Sequence, residues 1–279
     1  MPPDAPASPV NADLRPVPSG RRPLSQRELR AALVRPGSLW REVRVTESTG
    51  STNADLAAHA RRGGAEGTVL AAEAQVAGRG RLGRSWVSPP RAALTFSVLL
   101  RPAAVPASAW GWLPLLAGLA VVAAVRGCTG VDALLKWPND VMAEDRKLAG
   151  ILAEQAGEAV VIGIGLNVFA TRAELPVARA TSLVLEGAAS PDRNLLLAGI
   201  LREMETRYRR LARPGRGRAP LREEYLDRCC TLGREVRVMM PGDQVIAGTA
   251  ADVDEAGRLV VLTPAGPLPV SAGDVVHVR

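Results

Sequence analysis

The sequence predicts a chain of mixed α/β class, of the α+β kind, ending in a small all-β module of the barrel kind. Three observations carry that expectation. Short β-type runs and helical periodicities alternate irregularly from residue 25 to residue 231. Residues 194–211 form a strongly periodic amphipathic helix, so this first part is not all-β. From Gly233 onward only short β-type runs remain, with turns at 241–242, 255–257 and 264–267. The chain has 279 residues, 47% of them hydrophobic, enough for a large and a small core and too apolar for global disorder. The expected organisation is a disordered tail over 1–24, a large domain over 25–231 and the small module over 232–279.

Each element has a local reason. Residues 1–23 are rich in proline and short of large apolar side chains, and they lack the basic and apolar regions of a secretory signal. Ser25 with Glu28 forms a capping box that opens a helix to about residue 33. A strand follows over 42–46, then a helix over 53–62 that Thr52 can cap and that Gly63 and Gly64 stop. Strands are expected over 68–75 and 94–100. Residues 102–125 contain no charge and are long enough to raise the question of a membrane span. Pro114, the many glycines and alanines, and the lack of a second such segment favour a buried helix over 114–126 with proline in its first turn. Strands over 134–137, 141–142, 147–154 and 159–168 come next, with Asp145 and Arg146 in a tight connection. The helix over 194–211 is separated from a shorter one over 221–229 by an arginine- and glycine-rich break at 213–218.

Composition excludes several function classes. The three cysteines, Cys128, Cys229 and Cys230, form no CxxC and no Cys/His cluster, so a disulfide framework or structural zinc is not expected and a reducing cytoplasm fits. The net charge of +7 raises nucleic acid as a partner. However, 33 of the 35 basic residues are arginine, spread along the chain as solvated cations. Only Lys136 and Lys147 are lysines, and a compact ammonium does not substitute for a planar guanidinium, so these two positions draw attention.

The chemistry concentrates in a loop over 78–84, Gly-Arg-Gly-Arg-Leu-Gly-Arg. Its glycines let the backbone wrap a ligand and present N–H groups, while its arginines offer forked donors to carboxylate or phosphate oxygens. By itself such a loop reads equally as a mobile RNA-binding strip. Its position between a strand ending at Gln75 and the Trp86 to Pro90 region makes it an excursion from a folded core, and it is not a Walker loop. Ser51, Thr52 and Asn53 either cap a helix or fix a polar head group. Lys136-Trp137-Pro138-Asn139-Asp140 ends a strand in a rigid turn, and Gly163 and Gly165 within a strand mark a bulge or the close approach of a ligand.

Taken together, S-T-N at 51–53, Q-x-x-G-R-G-R-x-G-R from Gln75, K-W-P-N-D at 136–140, K-x-A-G-I-L at 147–152 and G-x-G-L-N at 163–167 fall in an order and spacing that strongly resembles the biotin–protein ligases, also called biotin–[acetyl-CoA-carboxylase] ligases. The resemblance runs from about Arg41 to the C-terminus. It implies a domain related to class II aminoacyl-tRNA synthetases, a mixed and largely antiparallel sheet flanked by helices, followed by an SH3-like barrel. It also implies a two-step reaction. Biotin and Mg-ATP give biotinyl-5′-AMP and pyrophosphate, and a lysine of a biotin carboxyl carrier domain then attacks the mixed anhydride.

By similarity, Ser51, Thr52, Asn53 and Gln75 line the biotin head-group site, Gly78 belongs to the biotin and biotinyl-AMP site, and Arg79, Gly80 and Arg81 fold over the adenylate. Trp86 packs beside the biotin tail, and Lys147 contacts the reacting carboxylate and the α-phosphate. Asp140 orients or deprotonates the acceptor lysine. Arg81 and Arg84 serve ATP, with Gly165 and Asn167 at the adenine. No metal is implied beyond the Mg2+ of Mg-ATP. Leu82 replaces a polar residue often found there, with little consequence expected. His59 and His277 are expected to be solvated.

The expected partner is the biotin carboxyl carrier protein, with no membrane and no DNA, and the chain is expected as a monomer or weak homodimer. Only 50 residues precede Ser51, nearly half of them the proline-rich tail, so the winged helix–turn–helix of some bacterial relatives does not fit and a ligase-only class is expected. Two alternatives stand beside this: a lipoate–protein ligase, disfavoured by the GRGRLGR and KWPND motifs, and a nucleic-acid-binding regulator.

Overall fold

The computed structural model describes residues 20–213, 218–240, 242 and 244–278. Most of the tail expected over 1–24, and the centre of the break at 213–218, lie outside those residues. The last residues of the expected tail are packed. Arg21 is buried, pairs with Glu174 at 2.7 Å and donates to the Phe169 carbonyl. The Leu24 amide donates to Glu73 Oε1 at 2.5 Å, so the folded chain begins before Ser25.

Seven strands form a mixed sheet: β1 (Glu42–Thr46), β2 (Thr68–Ala72), β3 (Ala93–Leu100), β4 (Leu134–Lys136), β5 (Asp140–Ala143), β6 (Arg146–Ala156) and β7 (Ala159–Asn167). Their order is β1-β2-β3-β7-β6-β5-β4. Only β1 and β2 are parallel, joined by the crossover helix α2 (Thr52–Arg61); every other neighbour is antiparallel. One face of this sheet, including Phe96, Val98, Ile162 and Ile164, packs with α1 (Gln26–Leu33), α3 (Trp112–Thr129), α4 (Arg193–Leu211) and α5 (Arg218–Arg228) into one apolar core. Among the described residues, the one helix on the opposite face is α2, whose Leu56, Ala57 and Ala60 meet Leu99, Ala159 and Val161 in a small separate cluster. The rest of that face is left open, and the cavity described below lies there.

Local chemistry explains the element ends. Ser25 caps α1 by accepting from the Glu28 amide at 3.2 Å, but only half the expected box forms. The Glu28 carboxylate goes to Arg22, and the Ser25 amide donates to Asn194 Oδ1. Helix α3 begins two residues before Pro114. The first four amides of a helix have no intrahelical acceptor, so proline is tolerated at its third position as well. Gly130, in the left-handed region at φ 73°, ends the helix with its N–H on the Arg126 carbonyl. This helix is long and apolar enough to cross a membrane by length and composition alone, yet 67% of that window is buried inside the protein, between the sheet and α4.

A second, fully antiparallel sheet contains β8 (Glu235–Met239), β9 (Val245–Val253), β10 (Leu259–Thr263), β11 (Gly266–Val270) and β12 (Asp274–His277), in the order β11-β10-β9-β8-β12. The all-β module is thus present, as a five-stranded sheet. Val236 with Val238 and Leu259 with Val261, at alternate positions, and Ala250 and Val253, three apart across a bulge, join the main apolar core. The seam between the two sheets is tight. The buried indoles of Trp112 and Trp137 donate to the carbonyls of Glu255 and Gly257 at 2.9 and 3.0 Å. A Cβ on Gly111 would lie 2.3 Å from the Ala256 carbonyl oxygen, so the backbones touch there. The joint is also stitched to β4: Cys230 donates its amide to the Leu135 carbonyl, and Thr231 Oγ1 accepts from the Trp137 amide.

Candidate functional site

The cavity opens over the centre of the first sheet, where β3, β7 and β6 run side by side. In register, Ser97 lies opposite Gly163 and Gly163 opposite Leu152; two residues along, Thr95, Gly165 and Gly150 form the next row. Pairing is continuous through both rows, so the glycines mark a close approach and not a bulge. A Cβ on Gly163 would lie 2.2 Å from Asn53 Oδ1, and one on Gly165 would lie 2.3 Å from the Trp86 ring. At Gly150 it would sit 3.2 Å from the same ring and 3.3 Å from Lys147 Nζ. The glycines therefore make a trough in which the functional side chains themselves lie against the sheet.

One end of the cavity is a hydrogen-bonding network of neutral side chains, edged by one carboxylate–guanidinium pair. Ser51, and not Thr52 as the sequence suggested, caps α2 by accepting from the Ala54 amide at 3.4 Å. Thr52 is the first helical residue, which frees its hydroxyl for the cavity: it bonds Gln75 Oε1 at 3.0 Å and Ser97 Oγ at 2.7 Å. Gln75 also accepts from the Thr52 amide, and Ser97 donates to Asn53 Oδ1 at 2.6 Å. The Asn53 amide group donates to Leu152 O and to Glu154 Oε2, and that carboxylate pairs with Arg79 at 3.2 Å.

The loop is a small hairpin. Gly78 O accepts from the Trp86 amide, Arg79 and Ser85 bridge, and the Gly80 amide donates to Arg84 O at 2.7 Å. Gly78 is required at its neck, since a Cβ there would meet the Trp86 carbonyl at 2.3 Å. Leu82, at the tip, is 59% exposed and left-handed at φ 53°, a conformation that polar Asn or Gly adopts more readily than a leucine. Arg81 bonds Asn139 Oδ1 at 2.9 Å and the Gly273 carbonyl at 3.2 Å, and Arg84 pairs with Asp274, so both side chains reach the second sheet. Burial pushes the Arg81 guanidinium below its usual value, against the pull of Asp274 and Asp140.

At the other end Lys147 Nζ stands 2.5 Å from Asp140 Oδ1. The bulge between Val141 and Met142 shifts the register, setting Lys147 opposite Met142 while Asp140 stands opposite Gly150. The Lys147 backbone is held from its far side too, by its N–H on Arg179 O and its carbonyl under the Thr181 amide. The cavity thus joins an end lined by neutral polar side chains, with the Arg79–Glu154 pair at its edge, to an end bearing Lys147, Arg81 and Arg84 together with Asp140 and Asp274.

Of the residues expected at the site, Ser51, Thr52, Asn53, Gln75, Arg79, Gly80, Arg81, Arg84, Trp86, Asp140, Lys147 and Gly165 line this cavity, and Gly78 forms the loop's neck. Asn167 does not line it. Its side chain is buried and donates to the Thr181 carbonyl at 2.8 Å, tying the strand end to the following segment. His277 is not solvated: it is half-buried, 3.3 Å from Thr231 Oγ1, and burial, with Lys136 and Arg234 nearby, pushes its pKa down to about 4. His59 is also half-buried, its ring covering Gly64.

Ser97, Glu154 and Asp274 belong to the site's bonding and were not singled out from the sequence, and Asn139 was read only as part of the K-W-P-N-D turn. Ser97 had a signal, one of two hydroxyls (with Thr95) at alternate positions in the otherwise apolar run of β3. Asp274 had none, because its place depends on how the second sheet docks.

Comparisons with known proteins agree with this geometry. Residues 44–167 match the model of the biotin/lipoate A/B protein ligase family, and residues 231–278 match that of the biotin protein ligase C-terminal domain. The chain belongs to the biotin/lipoate A/B protein ligase family. It is 48% identical over 265 residues to the biotin–[acetyl-CoA-carboxylase] ligase of Mycobacterium tuberculosis, covering 93% of this chain and 97% of that one. It is 36% identical over 201 residues to the bifunctional ligase/repressor BirA of Escherichia coli, covering 70% of this chain and 61% of that protein. Among solved structures, the biotin protein ligase of Aquifex aeolicus in complex with biotin and ATP superposes with a TM-score of 0.75 at 29% identity, covering 86% of this chain and all of the other.

Proposed function

We infer that the chain is an ATP-dependent ligase that activates biotin to biotinyl-5′-AMP and transfers it to a lysine of a biotin carboxyl carrier domain of acetyl-CoA carboxylase or a related carboxylase. The observation that carries this is one cavity whose end of neutral polar side chains faces an end bearing Lys147, Arg81 and Arg84. Biotin has the same polarity, a neutral ureido ring at one end and a carboxylate at the other. Thr52, Asn53, Gln75 and Ser97 suit the ring, and Trp86 suits the aliphatic tail.

In the first step a carboxylate oxygen attacks the α-phosphorus and pyrophosphate leaves. Two anions must be brought together, so positioning and charge compensation dominate the barrier. Lys147 and Arg81 are placed to supply both, with Arg79 and Arg84 closing the loop over the adenylate. ATP enters as its magnesium complex. Asp140 and Asp274 are the carboxylates on the cavity lining, so most ligands of that ion would be phosphate and water. In the second step the acceptor amine attacks the acyl carbon and AMP leaves. Asp140, beside Lys147, orients that amine or takes its proton. No enzyme nucleophile is required. Gly165 acts by leaving room for the Trp86 ring beside the biotin tail, and Asn167 acts by holding the segment after β7.

The partner is the carrier domain. The three free cysteines fit a reducing cytoplasm.

The test uses purified chain, Mg-ATP, apo carrier domain and either biotin or lipoate. We expect a streptavidin-detectable carrier with biotin alone, and a loss of about 10²-fold or more in rate in Lys147→Gln, typical for removing one preorganised charge-stabilising donor. Lipoylation in place of biotinylation, or specific DNA binding at physiological salt with no carrier labelling, would refute the reading.

A further inference from the structure

The two faces of the second sheet differ. The inner face joins the main core, but on the outer face large apolar side chains stand in water. Met239, Val276 and Val278 are 47%, 44% and 47% exposed, and Val245 is 54% exposed. They are neighbours and not scattered single residues. Met239 lies opposite Val245 on β9 and opposite Asp274 on β12. Two residues along, Arg237 lies opposite Ala247 and Val276, and beyond it the Glu235 carbonyl accepts from the Val278 amide. Opposite residues of antiparallel strands share a face, so these rows form one apolar strip across β9, β8 and β12 with the Arg237 guanidinium among them. Single exposed apolar residues need no explanation, but a contiguous strip of them marks a place for a partner.

Its position ties the strip to the reaction. The row of Met239 and Val245 continues to Asp274, which lines the cavity and pairs with Arg84. Arg81 donates to the adjacent Gly273 carbonyl, so the tip of the hairpin between them, with Leu82 exposed, rests beside the start of the strip. The Trp112 and Trp137 indoles hold the second sheet against the turn that carries Asp140. The strip therefore keeps a fixed place at the rim of the cavity. The second substrate is a whole protein domain whose lysine has to enter that cavity, and a body of that size must rest on the rim.

We propose that the outer face of β8, β9 and β12 is the docking surface for the carrier domain. The matching surface on the carrier is an apolar patch near its acceptor lysine, bearing a carboxylate that meets Arg237. The proposal rests on the biotin-transfer reading above and adds to it where the protein substrate sits.

The test gives the full chain biotin and Mg-ATP with one of two acceptors, apo carrier domain or hydroxylamine. Hydroxylamine needs no docking: its nitrogen attacks the acyl carbon, AMP leaves with the bonding pair, and a proton is lost to give the hydroxamate. Met239→Glu, Val276→Glu and Arg237→Glu should each raise KM for the carrier about tenfold or more, the loss expected for one desolvated anchor. Hydroxamate formation in the same variants should stay within about twofold of wild type, which also reports that they are folded. Where a Glu variant loses hydroxamate formation, the Ser variant at that position replaces it, with a rise in carrier KM of about threefold. Leu195→Glu is the control: Leu195 is as exposed and apolar, but lies on α4 behind the first sheet, and carrier KM should not change.

A carrier KM within twofold of wild type at both Met239 and Val276 would overturn the proposal, and so would an equal rise in Leu195→Glu. Sedimentation that shifts from dimer to monomer in the variants, at unchanged carrier KM, would assign the strip to a second copy of this chain and also overturn it. A wild-type chain that forms neither labelled carrier nor hydroxamate refutes the biotin reading itself, whereas normal labelling by every variant refutes the docking surface alone.

Discussion

Gly163, Gly165 and Gly150 do at the residue scale what no side chain could: they leave room on the sheet for Asn53, Trp86 and Lys147 to lie flat. None of the three has a positive φ, so their role is space and not backbone conformation. This gives a sharp expectation. In Gly165→Ala the new methyl would lie 2.3 Å from the Trp86 ring, which must move off the trough. We expect KM for biotin to rise by about tenfold or more, equivalent to ~1.4 kcal/mol, with little change in thermal midpoint. Gly127→Ala, in α3 with open space around the site of its Cβ, is the control and should be neutral or slightly stabilising. Equal biotin KM in the two variants would show that the trough has no role in binding.

The residue scale is also where the sequence was most informative. Lys147 stood out because arginine fills almost every other cationic position, and it does sit in the cavity against Asp140. Asn167 was legible only as part of a motif, and its amide serves the chain's own backbone. A motif reports that a residue type is needed at a place; it does not report whether a ligand or the protein itself satisfies it.

At the element scale the loop over 78–84 is a hairpin whose cations are tied to fixed partners: Arg79 to Glu154, Arg81 to Asn139 and Gly273, Arg84 to Asp274. These exposed or half-exposed pairs are individually weak, and an incoming adenylate offers stronger anions. We therefore expect hydrogen exchange over residues 77–86 to slow on adding biotin with Mg-ATP, and to slow less with biotin alone. Arg81→Gly should weaken the hold on the adenylate, seen as biotin label on bystander proteins as well as on the carrier. Unchanged exchange, together with unchanged selectivity in that variant, would mean the hairpin is a fixed wall. Most element positions were readable from periodicity and end signals. The helix at α3 began earlier than its proline suggested, and the cap of α2 moved from Thr52 to Ser51, because the Thr52 hydroxyl has a better partner in Ser97 from another strand.

Across the whole molecule the second sheet is part of the site's frame. Trp137, next to the Asn139-Asp140 turn, donates its indole N–H to Gly257 and its amide to Thr231, and Thr231 Oγ1 meets His277. His277 makes this seam acid-sensitive. In the fold its pKa is pushed down to about 4, whereas an unperturbed imidazole titrates at 6.5. The unfolded chain therefore takes up a proton that the fold resists. The stabilisation is complete above pH 6.5 and is lost progressively as the pH falls from 6.5 towards 4. Urea midpoints at pH 7 and pH 5 should differ more for the wild type than for His277→Gln. The same decrement in both would place the acid sensitivity elsewhere.

Read residue by residue, the sequence by itself determined the class of fold, the run of strands and helices, the small β module at the end, and the residues that carry charge and close turns. These are local properties: a hydrophobic period, a cap and a glycine act through neighbours a few positions away. Only the tertiary structure decided which of those residues face one another. It set Ser97 beside Thr52, brought Glu154 to Asn53 and Arg79, carried Asp274 across from the second sheet to the loop, and turned Asn167 and His277 inward. Those juxtapositions depend on strand register and on the docking of two sheets, which are settled by the packing of the whole core and leave no signature at any single position.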